Sequence, residues 1–134
     1  DVMSKPVTVN ENTMVYDAIV YLFLNDVGTL FVENNDALVG AVSRKDFLKI
    51  AIGGTEIHKV PGGVIMTRMP NIICGSRDDS AIILAKKIIE HEIDSIPIVE
   101  KVKSDDGSRE VIKIVGKMSK TNITKLFAGL GEEN

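Results

Sequence analysis

Gly40-Ala41-Val42-Ser43-Arg44-Lys45-Asp46 and, later, Gly116-Lys117-Met118-Ser119-Lys120-Thr121-Asn122 are one short pattern written twice. Each copy follows an apolar run, Ala37-Leu38-Val39 in the first and Val111-Ile112-Lys113-Ile114-Val115 in the second, and each precedes a helix-like stretch. The pattern predicts a strand that ends at a glycine, then a hydroxyl that opens a helix with a carboxylate or amide in its first turn. The glycine would let a ligand approach the backbone. Free N–H groups at the helix start favour an anion. The serine hydroxyl can bond a phosphate, and the carboxylate three residues on can accept from a pair of sugar hydroxyls. Half of a nucleotide pocket is written here, twice.

The surroundings repeat as well. Val2-Met3-Ser4 lies over Ile65-Met66-Thr67, Pro6 over Pro70, and the stretch Val27 to Val32 over Ile93 to Ile98. The glycine pattern follows at a longer offset, because the charged stretch Lys103 to Arg109 lengthens a hairpin that is the tight Asn34-Asn35-Asp36 in the first copy. Each half reads as a short strand (Val7-Thr8-Val9; Ile72-Ile73-Cys74), an amphipathic helix (about Met14 to Asp26; Asp79 to Glu92), a hairpin and a second helix. Val15, Ala18, Ile19, Leu22 and Phe23 fall on one helical face, as do Ala81, Leu84, Ala85 and Ile88, with Ile82 and Ile89 widening the second stripe. The expectation is an α+β fold of two β-α-β-β-α repeats, 1–58 and 59–134, related by a pseudo-twofold axis and packed through their sheets. A unit of this size buries little core alone, so two copies must cover each other, and clefts between copies suit a small ligand. The glycine-rich connector Gly53 to Gly63 reads as a surface loop.

Composition narrows the function classes. At 134 residues and 44% hydrophobic, the chain is one compact domain or two small units sharing a core. Four Phe, two Tyr and no Trp give little stacking surface, and a net charge of −3 disfavours a polyanion binder, so direct contact with nucleic acid is not expected. The lone Cys74 excludes an internal disulfide and reads as a small buried hydrophobe; His58 and His91 read as solvated, without a second metal ligand at useful spacing. No run approaches a membrane span and no signal peptide opens the chain, which points to the cytoplasm. An opening Asp rather than Met reads as a fragment of something longer.

Ser43-x-x-Asp46 taken alone is a helix N-cap with an acid in its first turn. Three features add ligand binding to that reading: the cap sits at a strand-to-helix turn, it recurs with matching surroundings, and basic residues gather at both copies. These are Arg44, Lys45 and Lys49 in the first, and Lys117, Lys120 and Lys125 in the second. The copies are unequal, since Asp46 is a charged acceptor and Asn122 offers a neutral carbonyl, so the Ser43/Asp46 site is the better ribose site.

The openings Met3-Ser4-Lys5-Pro6 and Met66-Thr67-Arg68-Met69-Pro70, the strand Ile96-Pro97-Ile98-Val99 and the Gly-x-x-Ser-x-x-Asp ending resemble a tandem CBS domain, or Bateman module, over nearly the whole chain. The stretch Val60 to Asn71 is further similar to the regulatory half of CBS-containing bacterial repressors, a group that joins an N-terminal winged helix-turn-helix to a CBS pair and represses gluconeogenic genes. The resemblance implies binding of ATP, ADP, AMP or S-adenosylmethionine, pairing into homodimers, and contact with DNA only through a missing N-terminal domain. It implies that Ser43, Ser119, Thr29, Ser95 and Arg68 meet phosphate, that Asp46 meets ribose, and that adenine lies against Val7, Val9 and Phe31, with Arg44, Pro97, Lys117 and Asn122 completing the two sites. Phe31 stands where the second copy has Pro97, and Asn122 where the family has aspartate, which breaks the symmetry of the sites. The expected activity is allosteric sensing without catalysis. The competing readings are an enzyme acting on nucleotides, which lacks a P-loop and a nucleophile paired with histidine, a bare dimerisation module, and the regulatory module of an enzyme or transporter.

Overall fold

The structure, a computed structural model, describes residues 3–54, 56–104 and 106–132. The chain divides into two compact units, Val7–Ile72 and a second one in which Asp1–Pro6 joins Ile73–Asn134. The architecture is mixed α+β, as the sequence pattern predicts.

In the first unit, β1 (Thr8–Asn10) runs parallel to β2 (Thr29–Asn34), with α1 (Val15–Leu24) as the crossover that parallel neighbours require. A tight turn through Asn35 and Asp36, both at positive φ, returns the chain antiparallel as β3 (Ala37–Ser43). Ser43 then opens α2 (Arg44–Ile52), and β4 (Thr67–Arg68) closes the four-stranded sheet against β3. Alternation along β2 and β3 sends Leu30, Val32 and Val42 to one face, where they pack with Val15, Ala18, Leu22, Phe47 and Met66.

The second unit repeats this plan with α3 (Ala81–His91), β5 (Ser95–Lys103), β6 (Glu110–Ser119) and α4 (Lys120–Glu132). Its core joins Leu84 and Ile88 to Ile96, Ile98, Met118 and Ile123. The repeat extends to backbone detail. Both hairpins slip register at the same point, Val32/Glu33 and Ile98/Val99. Both first helices end on a left-handed residue, Asp26 and Glu92. The N–H groups of Arg44 and Lys120 donate to the carbonyls of Gly28 and Asp94. The lengthened loop is tied by the Asp106 carboxylate, which accepts from Ser104 Oγ, Ser108 N and Ser108 Oγ and is thereby held well below its ordinary pKa.

Four expectations are corrected. The strand expected at Ile72-Ile73-Cys74 is reduced to one parallel bridge, Gly75 to Ile98. In the first unit Phe31 N donates to the Val7 carbonyl; the equivalent residue Pro97 has no N–H, so that rung of the ladder cannot form. The connector is no simple surface loop: Gly62 and Gly63 are buried, and Ile57, Val60 and Ile65 pack against the first core. The helical stripes are narrower than expected, since the sheet covers only part of each face and leaves Phe23, Ile82 and Ile89 exposed.

The fourth correction concerns the glycine of the repeated pattern. A Cβ on Gly40 would lie 2.3 Å from Met66 Sδ and 2.9 Å from the Thr67 carbonyl oxygen, and one on Gly116 would lie 3.0 Å from Met3 Sδ. The glycine therefore admits a methionine of an opening segment, and that space is not left for a ligand. Ser4 accordingly pairs with Lys117, as Thr67 pairs with Ala41.

Candidate ligand site

Ser43 and Asp46 form a reciprocal cap on α2. Ser43 N donates to Asp46 Oδ2 at 2.9 Å, Ser43 Oγ donates to the same oxygen at 3.1 Å, and Asp46 N donates back to Ser43 Oγ at 3.4 Å. Both serine donors converge on Oδ2, so Asp46 Oδ1 accepts no hydrogen bond from the described residues. Thr29, at the head of β2, is the antiparallel partner of Ser43. The end of the β2–β3 ladder thus gathers two hydroxyls, one carboxylate oxygen with open lone pairs and the first turn of a helix. Such a set can accept from vicinal hydroxyls and donate to an anion.

The second copy has the same skeleton and different chemistry. Ser119 N and Oγ donate to Asn122 Oδ1 at 2.9 and 2.8 Å, and Asn122 N donates to Ser119 Oγ at 3.1 Å. Ser95 is the cross-strand partner of Ser119, as Thr29 is of Ser43. Asn122 spends its amide as well: Nδ2 donates to Ser4 Oγ at 2.8 Å and ties the opening segment to α4. The residue is a structural clasp at both ends of its side chain. Ser4 belongs to this cluster and was missed in the sequence, because nothing local in Met3-Ser4 signals a partner more than a hundred residues away.

The basic residues divide. Arg44 reaches Asp26 at 3.8 Å, and Lys120 reaches Asp94 at 3.5 Å, so each is already matched by an acid near its helix start. Arg68 braces the connector: Nη2 donates to the Gly63 carbonyl at 3.0 Å and Nη1 lies 3.7 Å from Glu11. Lys117 differs. It sits on β6 opposite Pro97, only 9% exposed, with no carboxylate at ion-pair distance among the described residues. Desolvation pushes its ammonium below the usual lysine range.

The apolar residues do not share a surface. Val7 and Val9 pack against the first core. Phe31, buried, alternates with Leu30 and Val32 and so projects from the opposite face of the sheet, in register with Thr8 and Ala41. Cys74 is half-buried, and burial pushes its thiol up. His58 is exposed and stacks on Tyr16 with ring centroids 4.4 Å apart. Among the described residues no cluster of three or more His, Cys, Asp or Glu could hold a metal ion, and no helix is long and apolar enough to cross a membrane.

Residues 1–53 match the family described as CBS domain. The chain is 47% identical over 133 residues to the transcriptional repressor CcpN of Bacillus subtilis, covering 98% of this chain and 60% of that protein. Two solved folds are similar over nearly their whole length. One is the CBS domain pair of MJ0100 in complex with 5′-methylthioadenosine and S-adenosyl-L-methionine (26% identity, 96% of this chain, 94% of that one, TM-score 0.77). The other is CBSX2 in complex with AMP (25% identity, 98% of this chain, 96% of that one, TM-score 0.76). The family match over residues 1–53, the repeated hairpins and the neighbouring folds agree on a tandem CBS pair resembling the regulatory part of a bacterial transcriptional repressor.

Proposed function

We propose that this CBS pair is a ligand-sensing module that binds an adenine nucleotide (ATP, ADP or AMP) and thereby controls an attached DNA-binding domain of a cytoplasmic repressor. The observation that carries the reading is the open Oδ1 of Asp46 beside Ser43 and Thr29 at the start of α2. One carboxylate oxygen holds the cap while the other is available to a ribose. Ser43, Thr29 and the Arg44 N-terminal turn take phosphate in this reading, and Phe31 is the candidate apolar contact for the base. In the second unit Ser95, Ser119, Pro97 and the partly desolvated ammonium of Lys117 form a weaker site, with Lys117 seeking a phosphate or carboxylate. Arg68 supports the connector and reaches ligand only by leaving Glu11.

The adenosine compounds bound by MJ0100 and CBSX2 support the ligand class, and the repressor relative supports the attached domain. Ligand controls the effector only through a difference in affinity for two conformations. Pairing into a homodimer is supported by apolar side chains that the units leave exposed: Phe23 and Leu24 on α1, Leu48 and Ile52 on α2, Ile82 and Ile89 on α3. The test is thermal denaturation against adenosine, AMP, ADP, ATP and S-adenosylmethionine. A ligand at 100 times its Kd adds about 2.7 kcal/mol of stability. A melting temperature unmoved by all five at millimolar concentration overturns the reading in favour of a bare dimerisation module.

A further inference from the structure

The two repeats carry different residues at one matched position of their sheets. In the first unit Thr8, Phe31, Ala41 and Thr67 form a row across the strands, each the register partner of the next. Leu30, Val32 and Val42 face the core, so this row lies on the opposite face, with Thr29 and Ser43 one step along it. The corresponding row of the second unit is Pro97, Lys117 and Ser4, with Ser95 and Ser119 one step along. There Ile96 and Met118 face the core. The glycine pattern aligns Lys117 with Ala41, and the hairpins align Pro97 with Phe31.

These exchanges change what the face can hold. In the first unit Ala41 sets only a methyl group beside the strand of Phe31, and Asp46 keeps one carboxylate oxygen open. In the second, Lys117 puts a long aliphatic stem where Ala41 has its methyl, and Pro97 supplies no aromatic ring. Asn122 has no group to spare for a ribose: Oδ1 accepts from Ser119 N and Oγ, and Nδ2 donates to Ser4 Oγ. A nucleoside loses both its flat apolar contact and its charged acceptor.

What the second face gains is a cation. Lys117 is only 9% exposed, and its side chain has no partner among the described residues. Asp94, next to Ser95, is matched by Lys120 at 3.5 Å. Desolvation lowers the Lys117 pKa with no acid to offset it. Charges drawn out of water are ordinarily paired, so a cation left without an acid calls for an anion from outside the chain. On the same face Ser95 carries a hydroxyl with no side-chain partner among the described residues. A tetrahedral oxyanion spreads its oxygens in three dimensions and can accept from both rows at once, from the ammonium on one and the hydroxyl on the next.

We propose that the second repeat binds a small oxyanion of the phosphate class through Lys117 and Ser95 and takes no nucleoside. The chain then has one nucleoside site and one anion site, built from the same repeated skeleton. This deepens the reading of the second unit as a ligand site, and it stands whether or not Asp46 meets a ribose.

Calorimetric titration of the whole chain with inorganic pyrophosphate, and separately with AMP, tests it. Pyrophosphate should bind, and Lys117→Met should weaken it at least about tenfold, the loss expected for a hydrogen bond to a charged group. Ser95→Ala leaves the lysine in place and should weaken it by about tenfold as well. Asp46→Asn should leave pyrophosphate affinity within about twofold of wild type, and Lys117→Met should do the same for AMP. Melting temperatures confirm that each variant is folded. Pyrophosphate binding that depends on Lys117 in a chain that ignores AMP supports this site and sinks only the nucleotide reading. No pyrophosphate binding at millimolar concentration, or equal affinity in wild type and Lys117→Met, overturns the proposal, since the lysine stem then merely covers the sheet. So does a loss confined to Asp46→Asn, which would put the anion in the first unit. AMP weakened tenfold by Lys117→Met overturns it too, by assigning the lysine to the phosphate of a nucleotide.

Discussion

Gly40→Ala puts one methyl group into the tightest contact of the first unit. Its carbon would lie 2.3 Å from Met66 Sδ, 2.9 Å from Met66 Cγ and 2.9 Å from the Thr67 carbonyl oxygen. Carbon and sulfur prefer roughly 3.5–4 Å, so the thioether must retreat by more than about 1 Å. Met66 is buried and has little room to do so. The carbonyl belongs to β4, whose two residues pair with Gly40 and Ala41, so moving it opens the ladder. Overpacking of this kind costs typically about 1–3 kcal/mol, and a backbone contact places Gly40→Ala at the upper end. Gly116→Ala is the internal control. Its methyl meets only the Met3 side chain, at 3.0, 3.3 and 3.4 Å, and a flexible thioether yields a few tenths of an ångström for about 1 kcal/mol or less. Urea denaturation of the two variants should therefore separate them by about 2 kcal/mol, with Gly40→Ala the less stable. Adding Met66→Ala to Gly40→Ala should recover part of the loss as a favourable coupling energy, while the Thr67 contact remains. Equal losses in the two glycine variants, or a Gly40→Ala protein within about 0.5 kcal/mol of wild type, would refute the packing account of the repeated glycine.

Asn122→Ala removes both the cap acceptor of α4 and the tie to Ser4, and should cost about 1–3 kcal/mol in urea denaturation while changing nucleoside affinity little. Lys117→Met should raise the melting temperature at pH 7, because the folded chain there holds a desolvated ammonium. Its folded pKa lies below the unfolded value, so between the two the unfolded chain binds more protons and wild-type stability rises with pH; the advantage of Lys117→Met should shrink as pH approaches about 10. Ser80→Ala removes the Oγ that accepts from Ile83 N and should cost about 1 kcal/mol, read by thermal denaturation.

Much of this was legible in the chain because it is written twice. Repetition fixed the order of elements, the long hairpin and the helix starts at Ser43 and Ser119, since local patterns recurring with their surroundings are hard to produce by accident. What was misread depended on contacts between distant segments. The glycine's role needed Met66 and Met3 in place, and the connector looked like a surface loop because Gly62 and Gly63 conceal how Ile57, Val60 and Ile65 are spaced onto the core. Pro97 carried a readable signal: a residue without an N–H cannot continue a parallel ladder, and the strand beside it shrinks to a bridge. At the site, Ser43 and Asp46 stood out as a cap and as a ligand pair together. The inequality of Asp46 and Asn122 was visible in their chemistry, but the second bond of Asn122, to Ser4, appears only in the fold.

Asp46→Asn puts into the first copy the side chain that the second copy already uses. The amide oxygen keeps the acceptor for Ser43, so helix capping and melting temperature should stay near wild type, while the charged acceptor for ribose is lost. Hydrogen bonds to a charged group are worth about 1.5–3 kcal/mol, so calorimetric titration with AMP should show affinity falling by about 10- to 100-fold. Unchanged affinity in a folded Asp46→Asn protein would show that this carboxylate serves the helix alone and that the nucleotide, if bound, is held elsewhere.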